Sequence, residues 1–341
     1  MPSTNLSQST ALPLSRRRLL AAGPAAAALA ALPRLAAAQA TPTAGGWTFT
    51  DDAGKTVTLP TMPTRVAGDL NAMSSLWDFG VKPVGVSGWT TSTDVAWGNL
   101  PRDTPVISSA AGAPDPDPEK LLQLGADLFV TIYWGHKDNP YEWSFPDPET
   151  AAKINQIVPV IGINGTGNAN ANIERFAELA ALLGADVNAP AVQEAKAAYD
   201  KAIADLKANA AAKKDLKSIF VYADGTSMYV AYPPIWADLS MYQELGLNTV
   251  VPDGVPAGDY WEELSPEQAL KYPADILFQS ARDGAFTIEQ LKAHPTYGQI
   301  PAVKEGQAYS WNQDSVQSYE GMKAAVQAVA DALKDAKDIT P

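Results

Sequence analysis

The fold is decided by two stretches that lie half a chain apart. They read Asp117-Pro-Glu-Lys-Leu-Leu-Gln-Leu-Gly-Ala-Asp-Leu-Phe129 and Ser265-Pro-Glu-Gln-Ala-Leu-Lys-Tyr-Pro-Ala-Asp-Ile-Leu277. When they are aligned on the shared Pro-Glu, every match has the same offset of 148 residues (266 minus 118). The matched pairs are Pro118/Pro266, Glu119/Glu267, Leu122/Leu270, Ala126/Ala274 and Asp127/Asp275.

Each stretch predicts a short helix that runs into a buried strand. Asp117 or Ser265 supplies the N-cap, and proline suits the first helical position because its missing N–H has no partner there. An apolar strand follows in both copies. Pro-Glu after a capping residue is also a common helix start, but the Leu, Ala and Asp recur in register as well. We therefore interpret the repeat as the mark of two similar α/β lobes.

Residues 1–40 are typical of an export signal. Arg16-Arg17-Arg18 opens an Ala- and Leu-rich run, and Ala38-Gln-Ala40 offers small residues to a signal peptidase. Paired arginines before a weakly hydrophobic core favour the twin-arginine route. Pro24, Pro33 and Arg34 interrupt the run, which argues against a membrane span of about 20 residues. An uncleaved signal would still tether the protein.

The composition excludes several classes of protein and of binding site. The chain of 341 residues carries a net charge of −13, and removal of residues 1–40 deletes four arginines and no acid, which leaves 21 minus 38, or −17. Such a surface repels nucleic acid. With no cysteine, the chain has no disulfide, no thiolate metal site and no lipid on a leading cysteine, so it is not a lipoprotein. We expect an extracytoplasmic or periplasmic monomer.

Strands alternate with helices along the rest of the chain, which predicts an α/β fold with two mainly parallel lobes and a ligand cleft between them. A hairpin begins at Trp47, and an alanine-rich helix from Pro190 to about Lys213 is long enough to act as a rigid connector. The predicted boundaries are a linker at 41–46, an N-terminal lobe at 47–186, a backbone helix at 187–214 and a C-terminal lobe at 215–341.

Catalytic templates are weakly represented. His136 and His294 are the two histidines, Gly85-Val-Ser-Gly-Trp89 lacks the second glycine of a nucleophile elbow, and no Gly-Lys-Ser/Thr phosphate loop occurs. A protein-built transition-metal site needs three or four imidazole, thiolate or carboxylate ligands. We therefore expect neither an enzyme nor a resident cofactor or metal.

Aromatic residues follow several predicted strands, where open α/β sheets bind ligands. They are Trp89, Trp97, Tyr133, Trp134, Tyr229, Tyr260, Trp261 and Trp311, and each has the alternative of packing into its own lobe. Trp47, Trp77 and Trp236 are assigned to packing. Arg282 is a candidate clamp for anionic oxygens, with a surface pairing to Asp283 as the alternative.

Glu119 and Glu267 also have two interpretations. First-turn glutamates stabilise a helix through its dipole by about 0.3 to 1 kcal/mol. Because they occupy the same point in two similar lobes, they are equally suited to contact one pseudo-symmetric basic partner.

Across residues 47–338 the sequence resembles the helical-backbone (class III) substrate-binding proteins of ABC importers, in the branch that handles ferric siderophores, cobalamin and haem. The resemblance is carried by the two Pro-Glu units, the long Pro190 helix and four further phrases: Phe49-Thr-Asp-Asp-Ala-Gly-Lys-Thr-Val-Thr-Leu-Pro60, Pro63-Thr-Arg-Val66, Gly80-Val-Lys-Pro-Val-Gly-Val86 and Pro301-Ala-Val-Lys-Glu-Gly-Gln-Ala-Tyr309. It implies two lobes with a shallow cleft and little closure. It also implies that Glu119 and Glu267 dock on arginines of a dimeric inner-membrane permease.

The sequence departs from the pattern of this family in the loop after the first strand. Many relatives carry Ser-Pro-x-x-x-Glu there, whereas this chain has Asp69-Leu-Asn-Ala-Met-Ser74, which leaves Asn71 as that loop's candidate ligand contact. Many relatives are also lipoproteins, unlike this chain.

The expected ligand is a ferric siderophore that brings its iron already chelated. Catecholates are highly anionic and call for several cations, but only Arg282, Lys137 and Arg102 are candidates, which favours a hydroxamate or mixed chelate. Haem is the main alternative, with Tyr133, Tyr229, Tyr260 or His136 as axial ligands, and cobalamin is the next. A receptor for free metal ions and an exported enzyme that uses paired carboxylates remain as alternatives from other classes.

Overall fold

The structure is a computed structural model that describes residues 46–88, 95–134, 139–256 and 259–340. It begins with the expected hairpin, in which β1 (Trp47–Thr50) pairs antiparallel with β2 (Thr56–Leu59). The candidate residues Trp89, His136 and Lys137 and the signal-like residues 1–40 lie outside the described residues.

The first lobe is built on a fully parallel sheet with the strand order β4-β3-β5-β6. Most of its strand residues are buried, because helices flank a parallel sheet on its faces. The elements are β3 (Val66–Asp69), α1 (Leu70–Asp78), β4 (Gly85–Ser87), α2 (Pro118–Gln123), β5 (Leu128–Tyr133), α3 (Pro148–Ile157) and β6 (Val160–Asn164).

Helix α4 (Ala169–Leu182) follows the sheet of the first lobe, and α5 (Pro190–Ala212) leads from there to the second lobe. The 23 residues of α5 agree with the long helix predicted from the apolar stripe. Val192, Ala195, Tyr199 and Leu206 are buried along that stripe, as a helical period requires.

The second lobe carries a mixed sheet with the order β11-β10-β7-β8-β9. Its β11, β10 and β7 run parallel, whereas β8 and β9 form an antiparallel edge. The elements are β7 (Ser218–Ala223), β8 (Met228–Ala231), α6 (Ala237–Glu244), β9 (Trp261–Leu264), β10 (Ile276–Ser280), α7 (Ile288–Ala293), α8 (Pro301–Lys304), β11 (Ala308–Trp311) and α9 (Tyr319–Asp335).

One local prediction was wrong. The second Pro-Glu unit forms only a 3-10 turn, Pro266–Gln268, instead of a helix. In the first unit Asp117 does cap α2, with its carboxylate accepting from the backbone N–H of Glu119 at 2.8 Å.

The closing helix α9 makes the junction between the lobes a packed layer. Its Tyr319 ring lies 5.8 Å from that of Phe79 in the first lobe and 5.7 Å from that of Tyr199 on α5. Farther along, Asn209 of α5 donates to the carbonyl of Ala330 at 2.8 Å. Large apolar contacts across a junction oppose domain motion, so α5 and α9 together form a stiff connection.

Among the described residues no helix is both long and apolar enough to cross a membrane.

Candidate ligand-binding site

A cavity of about 50 Å³ lies between the two lobes. The first lobe contributes residues at the end of β5, after β6 and in α1, and the second contributes the start of α6 and the segment after β11. The carboxyl ends of parallel strands meet here, as expected for a ligand site in an open α/β sheet. The lining residues are Asn71, Ile132, Trp134, Trp143, Gly165, Trp236, Ala237, Asp238, Gln313, Asp314, Ser315 and Gln317.

Trp134 lies at the centre of the aromatic wall. Its ring is 5.3 Å from that of Trp143, 5.5 Å from that of Tyr260 and 6.3 Å from that of Trp236. Tyr260 and Trp236 belong to the second lobe, so Trp134 bridges the cleft. The assignment of Trp236 to packing was incomplete, because this side chain is buried in the core and also lines the cavity.

Two polar atoms of the lining residues are buried without a hydrogen-bond partner in the described part of the chain. They are the indole Nε1 of Trp134, which is a donor, and the amide Oε1 of Gln317, which is an acceptor. A buried polar group that stays unpaired costs about 1–3 kcal/mol. Both atoms are therefore suited to polar groups of a ligand or to water.

Asp238, in the first turn of α6, is the most deeply buried acid of the cavity, with 4% of its surface exposed. It accepts a hydrogen bond from the indole Nε1 of Trp311 at 2.8 Å. Burial raises the pKa of Asp238 to about 6, although the Trp311 bond and backbone N–H groups oppose that rise. No Lys, Arg or His of the described residues forms an ion pair with it.

The other acid of the cavity, Asp314, has a cation of its own. Arg282 donates from Nε to Asp314 Oδ2 at 2.8 Å and from its terminal nitrogen to Oδ1. Arg282 was expected to clamp an anionic ligand, with Asp283 as the alternative partner. The structure directs its guanidinium at Asp314, which leaves much less of its charge for a ligand.

Asn71 is fixed by the turn from β3 into α1. Asp69 caps α1 by accepting from the backbone N–H of Ala72 at 2.9 Å, and its second oxygen accepts from the N–H of Ile132 at 2.7 Å. Burial raises the pKa of Asp69 to about 6, against these bonds. Asn71, which starts this helix rather than lying in the predicted loop, accepts from Trp143 Nε1 at 3.3 Å.

The remaining predicted site residues are dispersed. Trp97 is buried in the core with Arg102 5.0 Å from its ring, and Trp311 is buried behind Asp238, so neither lines the cavity. Trp261 packs on Trp236 and Trp311. Among the tyrosines, Tyr133 is half-buried, Tyr229 donates to Glu263 at 3.3 Å, and Tyr260 donates to Glu142 at 3.2 Å across the cleft.

Glu119 and Glu267 lie outside the cavity and are exposed. The two units that carry them share a burial pattern: Leu121 and Ala269 are buried, whereas Leu122 and Leu270 are exposed by 64% and 56%. The described residues contain no group of three or more acids or histidines that could hold a metal ion.

Sequence reasoning missed Trp143, Asp238 and the polar segment from Gln313 to Gln317. The available signals were an aspartate within the apolar run Ile235-Trp-Ala-Asp-Leu239 and a run of polar residues directly after the last strand. Both lie beside predicted strands or helix starts, but no repeat or known motif marks them.

Comparison with known proteins gives consistent results. The periplasmic binding protein family matches residues 74–315. The structure is similar to that of DesE, a ferric-siderophore receptor protein from Streptomyces coelicolor, with 30% identity, a TM-score of 0.79, and coverage of 86% of this chain and 99% of that one.

More distant relatives share the fold. The chain is 24% identical over 285 residues to the Fe(3+)-citrate-binding protein YfmC of Bacillus subtilis, covering 83% of this chain and 84% of that protein. The triscatecholate siderophore binding protein FeuA, also of Bacillus subtilis, gives a TM-score of 0.62 at 17% identity, with coverage of 84% and 97%. The chain therefore belongs to the periplasmic binding protein family, in the helical-backbone class that includes ferric-siderophore receptors.

Proposed function

We propose that this protein is an extracytoplasmic receptor that captures a ferric siderophore and delivers it to an ABC permease in the inner membrane. Membership of the family and 30% identity to a ferric-siderophore receptor support this role. The observation that carries it is the cavity in the interlobe cleft, with its three tryptophans and two polar atoms that have no hydrogen-bond partner among the described residues. The protein acts as a binding protein and not as an enzyme.

The charges around the cavity favour a neutral or weakly charged chelate of the hydroxamate or mixed type. Two carboxylates, Asp238 and Asp314, line the cavity, and Arg282 is paired with one of them. A triply charged catecholate complex would meet these acids at close range, where a low local dielectric strengthens repulsion. The same argument disfavours ferric citrate.

The two Pro-Glu units are suited to docking on the permease. Each presents an exposed glutamate and, three residues later, an exposed leucine. Two equivalent contact points match a partner that is itself a two-fold dimer, which would offer one basic site to each. Glu119 and Glu267 are the charged contacts in this proposal, and Leu122 and Leu270 are the apolar contacts beside them.

Export would use residues 1–40 as a cleavable twin-arginine signal, and residues 41–341 would act as a monomer. The lobe boundaries near 47–186 and 215–341, with the connector at 187–214, remain part of this proposal. The long α5 and α9 pack together at this connector, so we expect little closure on binding.

Tryptophan fluorescence of residues 41–341 tests which ligand the protein binds. The protein is titrated with a ferric hydroxamate, a ferric catecholate, ferric citrate, haemin, cobalamin and bare Fe³⁺ and Zn²⁺. We expect saturable quenching by the hydroxamate, and about tenfold weaker binding in Trp134→Ala, because Trp134 is central to the aromatic wall. Thr48→Ala, on the exposed edge of the hairpin, is the control.

Each other result has a defined meaning. Saturation by haemin or cobalamin instead of a siderophore would assign the protein to the alternative ligands of the same class. Saturation by a bare ion would exclude the chelate proposal. No binding by any compound would refute the receptor role.

Reconstituted transport tests the docking. Glu119→Lys with Glu267→Lys should reduce uptake through the permease by at least tenfold and leave ligand affinity unchanged, because both glutamates lie outside the cavity. Each single variant should lose less. Glu149→Lys, which reverses an exposed acid on α3, is the matched control. Full uptake by the double variant would exclude these glutamates as docking contacts.

A further inference from the structure

We propose that the cavity is a subsite for a protonated amine on an arm of the iron chelate. The inference rests on the proposed function and narrows its ligand to ferric chelates that carry an alkylammonium group.

The charge of the cavity is the first support. Asp238 is 4% exposed and has no cationic partner among the described residues, whereas Asp314 is neutralised by Arg282. Asp238 lies in the first turn of α6, whose dipole contributes about half a positive elementary charge. One full negative charge and half a positive charge leave the cavity negative. A buried carboxylate of this kind is stabilised by a cation that enters from the ligand.

The walls of the cavity are the second support. Trp134, Trp143 and Trp236 line it from both lobes. The face of an indole ring attracts an ammonium group, and tryptophan does so better than the other aromatic residues. Within residues 46–88, 95–134, 139–256 and 259–340, Gln317 Oε1 is a buried acceptor without a partner, and an ammonium N–H satisfies it. Over the same ranges Trp134 Nε1 is a buried donor without a partner, and it suits a carbonyl or hydroxamate oxygen on the same arm.

The size of the cavity is the third support. A volume of about 50 Å³ holds a few waters or the end of an alkyl chain, since each water needs about 10–15 Å³ by this measure. In this proposal the end of one chelate arm occupies that space.

A matched pair of ligands tests the inference. One is a linear ferric tris-hydroxamate with a free terminal amine, and the other is the same chelate with that amine acetylated. Dissociation constants are measured by fluorescence quenching and calorimetry at pH 7.5. We expect the amine to bind at least tenfold more tightly than the acetylated form. Asp238→Asn should abolish that preference, because asparagine carries no charge that attracts the ammonium group, although it still accepts from Trp311.

Asp215→Asn is the control variant, since it makes the same change in net charge at an exposed position and should keep the preference. Near-ultraviolet circular dichroism of Asp238→Asn shows whether the tryptophan packing is retained. Equal affinity of wild type for the two chelates would overturn the ammonium subsite and leave the receptor role intact. A preference that survives in Asp238→Asn would also overturn it. Failure of both chelates to bind would refute the hydroxamate receptor and this subsite together.

Discussion

Asp275 and Asp238 lie in the same lobe and are similarly buried, with 1% and 4% of their surfaces exposed, but their surroundings differ sharply. Asp275 precedes β10 and accepts hydrogen bonds from the N–H groups of Lys217, Ile339 and Thr340 and from the Thr340 hydroxyl, at 2.8–3.0 Å. Asp238 receives one side-chain bond, from Trp311.

The two pKa values move in opposite directions. Burial alone would raise the pKa of Asp275, but its backbone and hydroxyl donors outweigh burial and hold that pKa below its usual value. Burial dominates at Asp238, where the pKa rises to about 6. A buried carboxylate with enough donors therefore stabilises the fold, whereas one that lacks a counter-charge in a cavity is suited to a ligand.

The largest effect that the comparison predicts is the loss of stability when Asp275 is replaced. Its carboxylate ties β10 to the residue before β7 and to the C-terminal segment. Because hydrogen bonds to a charged group are worth about 1.5–3 kcal/mol each and are not additive, we expect Asp275→Ala to lower the free energy of unfolding by about 3–4 kcal/mol. Urea unfolding measures this change.

Asp275→Asn is the companion variant. It retains one carbonyl oxygen, so it should lose about half as much stability as Asp275→Ala. A loss below about 1 kcal/mol for the alanine variant would contradict the view that these donors determine the behaviour of Asp275.

The next effect concerns pH. The pKa of Asp238 is about 6 in the folded state, against 3.8 for an aspartate exposed to water, so the folded protein binds more protons between these values. The stabilising contribution is complete below about pH 4 and is lost as the pH rises through 6. Two pKa units correspond to about 3 kcal/mol as an upper limit, so Asp238→Asn should be more stable than wild type by about 2 kcal/mol at pH 7.5.

That gain should disappear near pH 4. The difference between variant and wild type is the quantity to measure, because the raised pKa of Asp69 gives both proteins a slope of the same sign. Urea unfolding at several pH values provides it. A stability difference that is independent of pH would show that folding does not raise the pKa of Asp238.

The sequence predicted most of the fold because its signals are local. The stripe of α5 and the Asp117 cap before α2 need only neighbouring residues, and both elements appear as expected. The second Pro-Glu unit was predicted as a helix, but Pro273 lies where the first unit has Gly125. Gly125 adopts a positive φ of 58°, which ends α2 after a full helical stretch, and proline cannot adopt that conformation.

The site was harder to predict because its chemistry depends on distant contacts. Trp134 could be singled out because it follows a strand. The assignments of Arg282 and Trp311 depended on Asp314 and Asp238, which lie 32 and 73 residues away in sequence. Neither partner is implied by a periodic pattern. Burial and pairing, which distinguish a ligand-binding group from a structural one, become visible only in three dimensions.

The smallest predicted effect is the loss of stability when Asp127 is replaced, which compares the two units of the repeat directly. Asp127 occupies the position of Asp275 in the first unit and accepts from the N–H groups of Thr64 and Arg65, both at 2.9 Å. It is only half-buried, so water can replace its bonds when the carboxylate is removed. We therefore expect Asp127→Ala to lower the free energy of unfolding by about 1 kcal/mol, which is less than one buried bond to a charged group contributes. Urea unfolding of both alanine variants in one buffer compares them directly. Equal losses at the two positions would show that the shared backbone tie, and not burial, determines the contribution of these two aspartates.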